Sequence, residues 1–188
     1  MKFSHAVLLI IDVQKAIDAE YHAAEGPRNN PEAERNMARL LAAWRQEQRP
    51  IVHVRHDSTF AASAYRPGQA GNEFKDEVMP HAGEIIVAKQ TNSAFIGTGL
   101  ERILRDAGLN VLVITGVSTN NSVEATVRMA GNLGFETYLV ADACFTFARR
   151  DFHGRPRTAD EVHSMSLANL DGEYCVVTDT AAVLNERH

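Results

Sequence analysis

Cysteine is scarce in this sequence. The two present, Cys144 and Cys175, have neither the number nor the spacing of a disulfide framework or a zinc site, and they suit a reducing cytoplasm. Long apolar runs are missing too. No segment approaches the roughly 20 apolar residues of a membrane span. The N-terminal "MKFSHAVLLIIDVQ" has only a short apolar stretch, interrupted by Asp12, unlike a secretory signal. No membrane partner is therefore expected, and the expected location is cytoplasmic. Basic clusters are equally absent. Lys and Arg are scattered and the net charge is −5, so no global attraction to nucleic acid or anionic lipid is expected. There is no internal repeat, low-complexity segment or linker, and 188 residues suit one domain, 1–188, with a sizeable core.

What is present is strand–helix alternation. Five apolar, β-branched runs stand out: "AVLLIID" (6–12), "PIVHVRH" (50–56), "EIIVAK" (84–89), "NVLVITG" (110–116) and "ETYLVAD" (136–142), with a weaker sixth, "EYCVVTD" (173–179). Several are nearly continuous rather than alternating, as strands buried on both faces require. Helical spacing marks 31–48, with Pro31 placed for the first turn, and 97–108, with Gly108 as a C-terminal cap. Residues 120–133 and about 158–170 read as two more helices. The alternation predicts an α/β fold: a three-layer, Rossmann-like arrangement with a mostly parallel sheet and helices on both faces. The stretch 57–83, rich in Gly, Pro and Ala, is a loop long enough to be functional, and 145–157 is a second irregular stretch.

Open α/β sheets bind ligands beyond the carboxyl ends of their strands. Those ends carry Asp12, His56-Asp57, Lys89, the turn "GVSTNNS" from Gly116 to Ser122, and Asp142 to Cys144. Asp12 is either a cap on the following turn or a general acid or base, since a carboxylate ending an apolar strand is costly unless paired. If its strand lies near that of Lys89, the ammonium would hold Asp12 ionised. Ser122 alone says little, because serines at such turns are commonly helix caps. The turn itself says more: a helix start gathers backbone N–H groups and a favourable dipole at one point, the ingredients of an oxyanion hole. His53 and His56 fall on opposite strand faces, so a metal site with Asp57 is disfavoured; His56 or Asp57 is expected to line the pocket while His53 packs. Cys144 is expected to be small and partly buried at the pocket rim. "GTGLER" lacks the third glycine and the preceding strand of a dinucleotide site.

Taken together, "LLIIDVQ", "VAKQTNSAFIGTGL", "ITGVSTNNSVEATVRMAGNLGF", "LVADACFTF" and "VHSMSLANLDGEY" resemble the isochorismatase-like hydrolases, which include cysteine hydrolases such as nicotinamidases. The resemblance runs over nearly the whole chain. It implies a six-stranded sheet and a homodimer or homotetramer. It also implies an Asp–Lys–Cys triad in which Asp12 and Lys89 match the first two members. A cis peptide is implied between Val117 and Ser118, with the N–H groups of Ser118 and Ser122 as the oxyanion hole. Gln14, His56, Phe95, Val117 and Asn121 are the positions expected to contact a small-molecule substrate. No cofactor or metal is expected; the Asp-x-His pattern of metal-bearing nicotinamidases is absent after the second strand.

The chain departs from the pattern at the nucleophile, where Ser122 replaces cysteine. A thiol with an ordinary pKa near 8.5 is readily drawn to thiolate; a serine hydroxyl is far less acidic, and an aspartate is a poor base for it. Three readings stay open. The leading expectation is hydrolysis of a small amide-type C–N bond through the Asp12–Lys89–residue 122 triad, with the serine an engineered replacement that traps substrate or stops turnover; the alternatives are non-covalent, Asp-driven hydrolysis of a vinyl ether and a catalytically silent binding homologue.

Overall fold

The structure is a computed structural model and describes residues 3–186. The apolar runs become β1 (Val7–Ile11), β2 (Ile51–His56), β3 (Ile85–Lys89), β4 (Val111–Val117) and β5 (Glu136–Phe145). Between them lie α1 (Ala33–Gln46), α2 (Leu100–Asp106) and α3 (Glu124–Asn132), and a one-turn π-helix, Thr119–Val123, leads from β4 into α3. After β5 come a small hairpin, β6 (Arg149–Arg150) and β7 (Pro156–Arg157), then α4 (Ala159–Leu170), β8 (Val176–Thr178) and α5 (Thr180–Asn185).

The main sheet has six strands in the order β3-β2-β1-β4-β5-β8, and every pairing in it is parallel. The central strand shows why both faces are covered. All five residues of β1 are buried, with Leu8 and Ile10 facing one apolar cluster and Val7, Leu9 and Ile11 the other. The first cluster is closed by Met37, Leu40, Leu41 and Trp44 of α1 and Val183 of α5. The second is closed by Leu100 and Leu104 of α2, Val127 and Ala130 of α3 and Leu170 of α4. Trp44 spends its indole N–H on Ala6 O at 2.9 Å, which allows a large ring to be fully buried. Among the described residues no helix is long and apolar enough to cross a membrane.

The outer strand β8 is shorter than the sequence implies, Val176–Thr178: the N–H groups of Glu173, Tyr174 and Cys175 turn back to Leu170 O at the end of α4, and Asp179 caps the helix that starts at Thr180. Cys144 departs from its expected place at the pocket rim. It is fully buried opposite Gly116, in the apolar cluster under α2 and α3. Burial pushes its thiol well above the ordinary range. Cys175 is likewise buried, its thiol pushed up to about 12.

Candidate active site

Strand order decides which strand-end residues meet. Asp12 follows β1, and its N–H donates to Val54 O of β2 at 2.9 Å. Lys89 ends β3, paired with His56 of β2, so β2 lies between the two side chains. With strands about 4.8 Å apart, only a long side chain crosses that gap. Lys89 does: its Nζ donates to Asp12 Oδ2 at 2.6 Å, to Thr91 O at 3.0 Å and to Ser122 Oγ at 3.3 Å. Those three bonds use all three ammonium donors. Lys89, Asp12 and Ser122 are 1%, 4% and 7% exposed, so the cluster works out of bulk water.

Asp12 takes a positive φ of 54°, which aspartate tolerates better than most residues. Its second oxygen, Oδ1, is buried without a partner. Burial pushes the Asp12 carboxyl above its ordinary range, while the charge of Lys89 and bonds from Lys89 and Ser122 pull the other way. Asp12 is paired to Lys89 through Oδ2, which leaves Oδ1 unpartnered and able, when the carboxyl is ionised, to take a proton.

The Ser122 turn is set by β4 and braced from three sides. The Val117–Ser118 peptide is cis. Gly116, at φ +135° beside an irregularity in the β4–β5 register, lies so close to β1 that a Cβ would fall 2.2 Å from Ile11 O. Thr126 Oγ1 donates to Ser122 O at 2.7 Å. Thr119 Oγ1 and His163 Nδ1 lie 2.8 Å apart, and Ser166 Oγ donates to Thr119 O at 3.2 Å and to Glu124 at 2.6 Å.

A cavity of about 210 Å³ opens over this cluster. Of the residues expected to contact substrate, His56, Val117 and Asn121 line it, together with Asp12 and the expected oxyanion-hole residues Ser118 and Ser122. Gln14 and Phe95 do not. Gln14 is fully buried and holds the β1 and β2 ends together: its amide donates to His56 O and Asn72 O at 3.1 and 2.9 Å and accepts from His56 N at 2.8 Å. Phe95 turns into the core and stacks on Phe135, ring centres 5.7 Å apart. Asp57 turns to Arg55 and Asn72 and lies outside the cavity lining. His53 packs, 2.8 Å from Glu84 and edge-on to Phe74. Among the described residues no three His, Cys, Asp or Glu side chains are grouped to hold a metal.

Ile17, Tyr21, His22, Ser63, Tyr65 and Asn92 complete the lining, and inspection of strand ends missed them. Tyr21 and His22 lie on a short 3₁₀-helix, Glu20–Ala23, while Ser63 and Tyr65 come from the long 57–83 loop, the one signal the sequence did offer. A larger groove of about 800 Å³ lies between α4 and the β6–β7 hairpin, but none of Asp12, Lys89 and Ser122 touches it. Asp12 and Ser122 line the smaller cavity.

The parallel three-layer fold, with charged and hydroxyl groups gathered beyond its strand ends, is an α/β architecture of Rossmann-like topology. The chain belongs to the isochorismatase family: residues 6–182 match the isochorismatase domain. A putative hydrolase of that family from Chromobacterium violaceum has the same fold, with a TM-score of 0.93 and 59% identity over 97% of this chain and 93% of that one. The uncharacterized isochorismatase family protein YrdC of Bacillus subtilis is 38% identical over 95% of this chain and 94% of its own length. Maleamate amidohydrolase of Pseudomonas putida is 33% identical over 61% of this chain and 49% of its own.

Proposed function

We propose that this isochorismatase-family hydrolase cleaves a small amide-type C–N bond at the Asp12–Lys89–Ser122 cluster. One observation carries the reading: a single buried ammonium touches both the carboxylate at 2.6 Å and the hydroxyl at 3.3 Å, and the two residues it joins line a small cavity. The amide named for the Pseudomonas putida relative supports the bond type. In this scheme the residue-122 heteroatom attacks the carbonyl carbon and its proton passes to Asp12. The N–H groups of Ser118 and Ser122 receive the oxyanion. The amine leaves with the proton from Asp12, and water then splits the acyl ester, its proton passing through Asp12 back to the residue-122 heteroatom as the acid departs. The overall change is amide plus water to acid plus amine. Serine makes the first step slow, because Asp12 is a weak base for a hydroxyl. The working form is a homodimer or homotetramer in the cytoplasm.

The test is intact-mass spectrometry of the protein and its Ser122→Cys variant after incubation with small amides. We expect an acyl adduct on residue 122, and faster amide turnover in the cysteine form. No adduct and no gain in rate would sink the covalent scheme. A second reading has its own support: burial raises the Asp12 pKa and leaves Oδ1 free, as a general acid for a vinyl ether needs. That mechanism predicts substrate loss without an adduct and a rate that falls as pH rises.

A further inference from the structure

We propose that His163 and Thr119 are positioning residues for residue 122: the imidazole on α4 holds the threonine that opens the one-turn π-helix, and so fixes where the 122 side chain stands against Lys89. The inference rests on the reading of Ser122 as the reacting group; His163 and Thr119 themselves are not among the residues lining the cavity. His163, Ser166 and Leu170 are three and four residues apart and share one face of α4. All three are buried, with Leu170 in the apolar cluster under α2 and α3, so this is the inward face. Polar side chains on such a face are costly unless bonded. Both are bonded, and to the same turn. His163 Nδ1 lies 2.8 Å from Thr119 Oγ1, while Ser166 Oγ lies 3.2 Å from Thr119 O and 2.6 Å from Glu124 Oε2. α4 therefore grips the first residue of the π-helix and the first residue of α3, with Ser122 between them.

The imidazole is itself anchored to the sheet. Its ring bonds to Ala141 O of β5, where the pairing with β4 slips: Ile114 faces Leu139 but Gly116 faces Cys144. Asn30 fills the same irregularity, its Nδ2 donating to Ala141 O at 3.0 Å and to Cys144 O at 2.7 Å. With Nδ1 at Thr119, the ring N–H toward Ala141 belongs to Nε2, so Nδ1 accepts and the Thr119 hydroxyl donates. Burial lowers the pKa of His163, against the charge of Asp160, which keeps Nδ1 unprotonated near neutral pH. The start of α4 is fixed just ahead of the histidine by the Thr158–Glu161 capping box, with bonds of 2.7 and 3.2 Å. Residue 122 is the contact most sensitive to this support. Its 3.3 Å bond is the longest of the three that Lys89 makes, and a shift of a few tenths of an ångström would break it.

Ser122→Cys turns residue 122 into a reporter, because iodoacetamide alkylates a thiol at a rate set by its thiolate fraction. The rate is followed against pH, with adducts located by peptide mass to set aside the buried Cys144 and Cys175. We expect a midpoint below the ordinary thiol value of about 8.5, since Lys89 and the helix start both favour the thiolate. Adding Thr119→Val or His163→Leu should raise the midpoint by at least about 0.5, roughly a threefold fall in rate at pH 7. The two together should move it no further than either alone, because they cut the same bond. His163→Asn keeps an acceptor near the place of Nδ1 and should recover much of the shift. Val183→Ala, in the apolar cluster on the other face of the sheet, lowers overall stability without touching the turn and should leave the midpoint where it was. A parent midpoint at or above about 8.5, no shift in either single change, strictly additive shifts, no recovery with asparagine, or an equal shift from Val183→Ala would overturn the inference. Failure of the amide-cleaving reading looks different: the midpoint would respond as expected, yet the Ser122→Cys form would give neither acyl adduct nor hydrolysis with amides.

Discussion

Lys89 is an ammonium with no access to water, sharing its protons among a carboxylate, a carbonyl and a hydroxyl. Removing one member of a buried pair strands the other, at a typical cost of about 3–5 kcal/mol. Lys89→Met should therefore destabilise the protein by that order. The sign of its pH dependence follows from Asp12. Burial already raises that carboxyl in the folded state, and losing Lys89 raises it further. A carboxyl with a raised folded pKa favours folding when protonated, and that stability is lost as pH climbs through the folded pKa. The deficit of Lys89→Met relative to the parent should thus be smaller at acid pH and larger at neutral pH, by urea unfolding. Asp12→Asn combined with Lys89→Met should recover most of it. A deficit independent of pH would mean that the pair is not the cause.

At the scale of elements, the β4-to-α3 turn depends on Gly116. A Cβ there would meet Ile11 O at 2.2 Å and Ile11 N at 2.6 Å, both backbone atoms that cannot step aside, and φ +135° is strained for any L side chain. Gly116→Ala should cost more than about 2 kcal/mol in urea unfolding. It should also depress any activity of the Ser122→Cys form, since Ser122 hangs from this turn. The sequence disclosed much of this layer. Short, continuous, β-branched apolar runs fit strands covered on both faces, as β1 is, though the edge strand β3 leaves Ile86 exposed; strand ends in such a sheet collect the polar groups, which is why Asp12, Lys89 and Ser122 were visible as candidates. The losses have physical causes. Tyr21 and His22 sit on a four-residue 3₁₀-helix with no apolar period to betray it. Phe95 and Gln14 have the chemistry of a pocket lining, yet one is taken by Phe135 and the other by three backbone groups, pairings that only tertiary packing reveals.

At the scale of the whole molecule, long-range ion pairs pin the loops to the layers. Glu84 binds Arg45 of α1 through both oxygens, at 2.7 and 2.9 Å, and lies 2.8 Å from His53 of β2. Glu34 of α1 joins Arg28 and Lys75, closing the 57–83 segment onto the helix. Burial opposes ionisation of both carboxyls, but these cations overcome it and hold each at about 2, against an ordinary 4.5. A lowered folded pKa gives stability that is present above 4.5 and lost as pH falls toward 2, on the order of 3 kcal/mol for each group. Acid unfolding should therefore begin below about pH 4.5, and Glu84→Gln should flatten the stability–pH slope between 4.5 and 2. A slope unaltered by that change would remove Glu84 from the account.

The cavity is built from two kinds of material. Its floor, Asp12 and Ser122 with Lys89 behind them, hangs from the strand ends of a buried sheet, whereas its wall, Tyr21, His22 and Tyr65, hangs from short surface segments, with Phe147 stacked on His22. Reaction and taste can therefore be inherited separately. Exchanging residues 20–23 or 63–65 for another sequence would give the same cutting edge a different appetite while leaving the sheet that holds the edge untouched.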